Sequence, residues 1–162
     1  MLEDYVVIDL EMTGLNAKTD AILEVGAVRV RDGRQTETYG AILKCGRELS
    51  ERVVELTGIT PEMAADGREP EEAMQEFFTF LGDDVLVGQN VIFDYSFLKQ
   101  WSVNHGQTFE RNAVDTLKLA RRFLPAEQKK DLKVCVPISG SGVSGRTVRS
   151  MMRWRPESCW RD

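Results

Sequence analysis

Asp9 and Glu11 stand two residues apart at the end of an apolar run, Val6-Val7-Ile8-Asp9-Leu10-Glu11-Met12. Side chains two apart share a face only where the chain is extended, so this run, read as a strand, sets two carboxylates side by side. They fall where the strand leaves the core. Like charges that close repel, and a divalent cation is the natural way to neutralise them. Hard ions such as Mg²⁺ or Mn²⁺ take carboxylate oxygens and keep positions open for a phosphate.

The segments that follow define the sheet around this strand. Ile22–Val30 reads as a second strand, Asp32-Gly33 as a tight hairpin turn, and Thr36–Leu43 as the third strand of an antiparallel meander. Ser50 is an N-cap for a helix over Glu51–Leu56 that Gly58 stops. Pro70 suits the first position of a helix whose apolar face is Ala73, Phe77, Phe78 and Leu81. Val85–Gly88 is a short buried strand, Phe93, Phe97, Leu98 and Trp101 repeat at helical spacing up to Gly106, Ala113–Asp115 is a last strand, and Leu117–Phe123 a helix that Pro125 ends. A meander followed by alternating helices and strands predicts an α/β fold with a mixed sheet and flanking helices.

The chain of 162 residues, 42% hydrophobic and 29% charged, suffices for one domain with its own core. Its three cysteines have no C-x-x-C spacing, which indicates neither a disulfide framework nor a zinc site. A net charge of −5 argues against wrapping a duplex electrostatically, yet leaves room for a small metal-bridged contact with a nucleic-acid end. With no apolar run near the length of a membrane span and no secretory leader pattern, a cytoplasmic protein with no membrane partner is expected.

A third carboxylate comes from Gly88-Gln89-Asn90-Val91-Ile92-Phe93-Asp94, where Asp94 opens a helix and its charge suits the positive helix end. Asp9-x-Glu11 with Thr13-Gly14-Leu15, followed by Asn90-x-x-Phe93-Asp94, resembles the first two motifs of the DEDD 3′–5′ exonucleases, and more narrowly their proofreading (epsilon) branch in bacterial DNA polymerase III. Asp20–Val28, Leu56-Thr57-Gly58-Ile59-Thr60 and Asp115-Thr116-Leu117 resemble further segments of that family, so the likeness spans roughly residues 3–133. The resemblance implies an RNase H-like fold and phosphodiester hydrolysis with two Mg²⁺ or Mn²⁺ ions about 4 Å apart. By it Asp9, Glu11 and Asp94 are the catalytic metal ligands. Thr13, Gly14, Leu15, Asn90 and Phe93 hold the terminal nucleotide, with Leu15 and Phe93 packing on bases. A single-stranded DNA 3′ end and DNA polymerase III subunits are the implied partners. Asp115 is expected to cap its helix instead of binding metal, and Glu24 is open between supporting the site and plain surface.

The family's third motif, H-x-A-x-x-D, supplies a general base and a fourth carboxylate, and this chain lacks it. Its one histidine, His105, precedes Gly106 at a helix end, with no Asp five residues on. The genetic code permits an explanation. Read from each third base, codons for Gly145–Trp154 can spell Ala-His-Arg-Ala-Leu-Asp-Asp-Ala-Leu-Ala, and the two single-codon methionines Met151 and Met152 force one of the Asp residues. A frameshift near Lys133–Val134 would produce this. Residues 134–162 also differ in composition: five arginines against Glu157 and Asp162 give +3, leaving −8 for the rest. The expected organisation is an incomplete exonuclease domain over 1–133 and an aberrant, poorly ordered tail over 134–162. The expected function is therefore a proofreading-type 3′–5′ exonuclease domain impaired by the lost motif. Two alternatives stay open: an oligoribonuclease- or RNase T-like RNA 3′ exonuclease, since discrimination at the 2′-hydroxyl depends on pocket geometry, and a non-catalytic module that binds nucleic acid or a polymerase.

Overall fold

In the computed structural model, which describes residues 3–123, the Asp9 segment lies in the middle of a five-stranded sheet. Strands β1 (Tyr5–Met12), β2 (Ile22–Arg31) and β3 (Arg34–Ile42) form the meander, and helices α1 (Glu51–Thr57), α2 (Pro61–Ala65) and α3 (Pro70–Leu81) follow. Then come β4 (Leu86–Gly88), α4 (Ile92–Asn104), β5 (Ala113–Asp115) and α5 (Thr116–Phe123). The sheet order is β3-β2-β1-β4-β5, antiparallel within the meander and parallel from β1 to β4 to β5. This is the mixed sheet with flanking helices expected from the sequence. The expectations for the tail lie outside the described residues, and among those that are described no helix is long and apolar enough to cross a membrane.

Local chemistry explains the elements. Asp32 (φ 50°) and Gly33 (φ 69°) both take the left-handed conformation that a two-residue hairpin turn requires, and Arg31 pairs with Arg34 across it. Ser50 caps α1 by accepting from the Val53 N–H, and Gly58 (φ 74°) ends it. Helix α2 has no counterpart in the sequence reading. Its signal is Thr60, which accepts from the Met63 N–H, with Pro61 at the first helical position, in a helix too short to show a period.

One face of β1 buries Val6, Ile8 and Leu10 against α3 and α4, with Phe77 and Leu98 fully inside. Burying each such side chain contributes about 1.5–3 kcal/mol. A second small cluster of Leu23, Leu49, Ile59 and Ala64 fastens α1 and α2 to β2. The alternation along β1 turns Asp9 and Glu11 to the face opposite the main core. The strand runs to Met12 because antiparallel pairing with β2 continues through Glu11 opposite Glu24 before the register shifts.

Candidate active site

Register decides what surrounds the two carboxylates of β1. Asp9 is opposite Gly26, which places no side chain beside it, and Glu11 is opposite Glu24. Asp94 arrives from α4, in the first helical turn, and is buried. Its Oδ1 accepts a 2.9 Å hydrogen bond from the backbone N–H of Leu10, the residue between Asp9 and Glu11. The reason lies in strand length. The Val6 N–H bonds Val85 O on the β4 side of β1, and two-residue periodicity puts the Leu10 N–H on that same edge. Strand β4 stops at Gly88, so the Asp94 carboxylate takes the place of a strand partner. Space is tight at Gly88, where a Cβ would lie 3.0 Å from both Ile8 O and Val91 Cγ2.

The electrostatics follow from this convergence. Burial, then the charges of Asp94, Glu11 and Glu24, push the Asp9 carboxyl up from 3.8 to about 8. Burial raises Asp94 from 3.8 to about 7, against the Leu10 N–H and its own backbone N–H, which favour the charged form, with the charge of Glu11 adding to the rise. Glu24 thus stands within electrostatic reach of Asp9. An all-carboxylate set that resists ionisation suits a hard divalent cation, which relieves the repulsion. Among the described residues no three acidic, histidine or cysteine side chains stand in ligating geometry, so the fit is one of donor chemistry and charge, not of a preformed cage.

The segment after β1 is a tight loop built around Asp20. Thr13 exchanges two 2.9 Å bonds with Ala21, its N–H donating to Ala21 O and its Oγ1 accepting from the Ala21 N–H. Asp20 Oδ2 accepts from the Asn16 N–H at 2.8 Å, and a Cβ on Gly14 would lie 2.4 Å from that oxygen, so a side chain at 14 would push the Asp20 carboxylate off this bond. The loop leaves Leu15 at 84% exposure. Phe93 is half-buried and meets Phe97 edge-on at 5.4 Å, while Asn90 is exposed in a left-handed turn (φ 56°) ahead of α4. All eight candidate residues belong to β1, the loop after it, and the β4–α4 turn with the first turn of α4.

Asp115 caps α5 as the sequence suggested, its Oδ1 accepting from the N–H groups of Leu117 at 2.9 Å and Lys118 at 3.4 Å. The same oxygen also accepts from the Asn90 N–H at 3.0 Å, a contact between segments 25 residues apart that sequence does not display. His105 is exposed at the far end of α4, its Nδ1 2.8 Å from Trp101 O and its ring stacked on Trp101. It lies eleven positions after Asp94, about 16 Å along the helix axis.

Comparisons with known proteins place the chain by family and fold. The profile of the family described as Exonuclease matches residues 6–139. The DNA polymerase III PolC-type protein of Thermotoga petrophila is 43% identical over 121 residues, which cover 74% of this chain and 9% of that protein. The DNA polymerase III subunit epsilon of Aquifex aeolicus is 37% identical over 130 residues, 80% of this chain and 64% of the relative. The chain thus spans only about a tenth of the PolC-type relatives. Among solved structures, E. coli ExoI in complex with single-stranded DNA, bound to zinc, superposes with a TM-score of 0.67 at 17% identity over 74% of this chain and 29% of that one. Exonuclease X in complex with 5′ overhanging duplex DNA gives 0.61 at 26% identity over 76% and 66%. By fold, by motif order and by the profile that spans most of its length, the chain belongs to the exonuclease family.

Proposed function

We propose that this domain hydrolyses phosphodiester bonds at DNA 3′ ends in the proofreading manner, with Asp9, Glu11 and Asp94 as ligands for two Mg²⁺ or Mn²⁺ ions. The observation that carries the reading is the 2.9 Å bond from the Leu10 N–H to Asp94, which draws an acid from α4 up against the acidic pair of β1. When bound, the ions would supply an activated water and charge at the leaving 3′ oxygen. The chain's own residues bind and orient. The three carboxylates hold the cations, and the exposed Leu15 and half-buried Phe93 offer apolar surfaces for the terminal bases. Thr13, Gly14 and Asn90 shape the turns that carry them. Polymerase III subunits are the proposed partners, in keeping with the names of the relatives.

The proposed domain is residues 1–133, with 134–162 as a tail that lacks H-x-A-x-x-D. No histidine stands near the acidic set, since the one in the chain, His105, sits at the other end of α4. Loss of a general base lowers a rate by about 10²–10⁴, and the chain is expected to cleave that much more slowly than a relative with the motif. The test is release of nucleotides from 3′-labelled single-stranded DNA and RNA oligonucleotides with Mn²⁺, for the parent protein and Asp9→Asn. Slow release from DNA that Asp9→Asn abolishes supports the reading. Preference for RNA moves the domain to the RNA-trimming branch, and DNA binding with no metal-dependent release leaves a binding module.

A further inference from the structure

The N-terminus of α4, which presents Phe93 and Asp94, has no side-chain cap of its own: its N-cap is Val91. What precedes it is Asn90, held at φ 56° in the left-handed conformation, which asparagine takes more readily than other residues with a Cβ. The Asn90 carbonyl accepts from the Phe93 N–H at 2.9 Å and begins the helical turn, while the Asn90 N–H is held by Asp115 Oδ1 at 3.0 Å. Asp115 is itself fixed. It lies buried in β5 opposite Gly88, and its carboxylate caps α5. Thr116 Oγ1 adds a second tie to the same turn by donating to Gly88 O at 3.1 Å.

We propose that Asp115 is a positioning residue for the acidic site: through the Asn90 N–H it sets the left-handed turn that aims α4, and so holds Asp94 against the Leu10 N–H. The inference rests on the reading of Asp94 as a metal ligand only for its effect on metal affinity. The mechanical link from Asp115 to Leu10 stands apart from that reading and is measured without metal.

Two variants separate this role from helix capping. Asp115→Ser keeps a good N-cap for α5, but its hydroxyl is too short to serve the Asn90 N–H as well. Asp115→Asn keeps an acceptor oxygen of the same reach without the charge. Amide hydrogen exchange read by NMR on the metal-free protein is expected to speed up at least tenfold at Asn90 and Leu10 in Asp115→Ser. Leu117 and Lys118 should stay protected, and Asp115→Asn should restore Leu10. Mn²⁺ affinity, followed by water-proton relaxation, should weaken by about 10–100-fold in Asp115→Ser and recover in Asp115→Asn. Unchanged Leu10 exchange in Asp115→Ser, or its loss in a folded Asp115→Asn, overturns the proposal. If Asp94→Asn binds Mn²⁺ as the parent does while Leu10 still responds to Asp115→Ser, the positioning role holds and the ligand assignment falls.

Discussion

Asp9 combines two properties that conflict in a metal-free protein: it is half-buried, and its carboxyl is crowded by Asp94, Glu11 and Glu24. A carboxyl raised from 3.8 in the unfolded chain to about 8 in the folded one binds its proton more tightly when folded. Its contribution to stability is therefore full below about pH 4 and is lost as pH climbs through 8. Asp94, raised to about 7, behaves the same way over a slightly lower range. Asp9→Asn mimics the protonated form at every pH. The difference in Tm between this variant and the parent should be near zero at pH 4 and positive at pH 8, about 2–4 °C for each kcal/mol recovered. Mg²⁺ or Mn²⁺ should stabilise the parent at pH 8 and leave Asp9→Asn unmoved, as thermal melts with and without chelator will show. Leu15 makes the complementary case. At 84% exposure it contributes little to the core, so Leu15→Ala should leave Tm unchanged and weaken binding of a single-stranded oligonucleotide by about 1–2 kcal/mol, the worth of the apolar surface that the leucine would cover against a base. Fluorescence anisotropy with a labelled 3′ end measures it.

At the scale of elements, the site is a consequence of unequal strand lengths. Strand β1 runs eight residues and β4 only three, so the edge of β1 beyond Gly88 is left for the first turn of α4 to fill. The helix keeps its place by packing Phe97 and Leu98 into the core beneath β1, next to Phe77 of α3. Phe77 is fully buried and meets Tyr39 and Phe78 at ring separations of 5.8 and 6.4 Å. Phe77→Ala should cost about 3–5 kcal/mol in denaturant unfolding. The loop after β1 depends on a different kind of fit. Gly14→Ala would drive a methyl group into the Asp20 carboxylate, so nucleotide affinity should fall, and Asp20→Ala added to it should recover part of the loss by removing the clash. Isothermal titration with a mononucleotide compares the two variants.

For the molecule as a whole, an acidic cluster on a mixed sheet is in place, and the proposed frameshift puts a third motif in the codons of Gly145–Trp154. The nucleotide sequence from codon 125 onward decides between a chain that lost this motif and one that never had it. A purine in the third position of the Arg146 codon removes the shifted-frame histidine and with it the frameshift. If the histidine codon is there, a version of the chain carrying the shifted-frame segment from Val134 should release 3′ nucleotides about 10²–10⁴ faster. A 3′-labelled single-stranded oligonucleotide with Mn²⁺ reports the change.

Much of this was legible from residues alone, because the signals are local. Strand alternation puts Asp9 and Glu11 on one side wherever the strand goes, Asp32-Gly33 makes the turn, and Ser50, Gly58 and Pro70 punctuate the helices through bonds within a few residues. The order of the short motifs also pointed to the family. Helix α2 escaped because five residues are too few for a period. Only the folded chain brings together groups far apart in sequence: Asp94 with the Leu10 N–H 84 residues away, Asp115 with Asn90, and Glu24 with Glu11 across the β1–β2 ladder. Such contacts depend on where β4 stops and how α4 packs, and these are set by the whole core at once. Periodicity and capping follow from the sequence itself. The approach of one carboxylate to another, and the charge coupling that follows from it, belong to the tertiary structure.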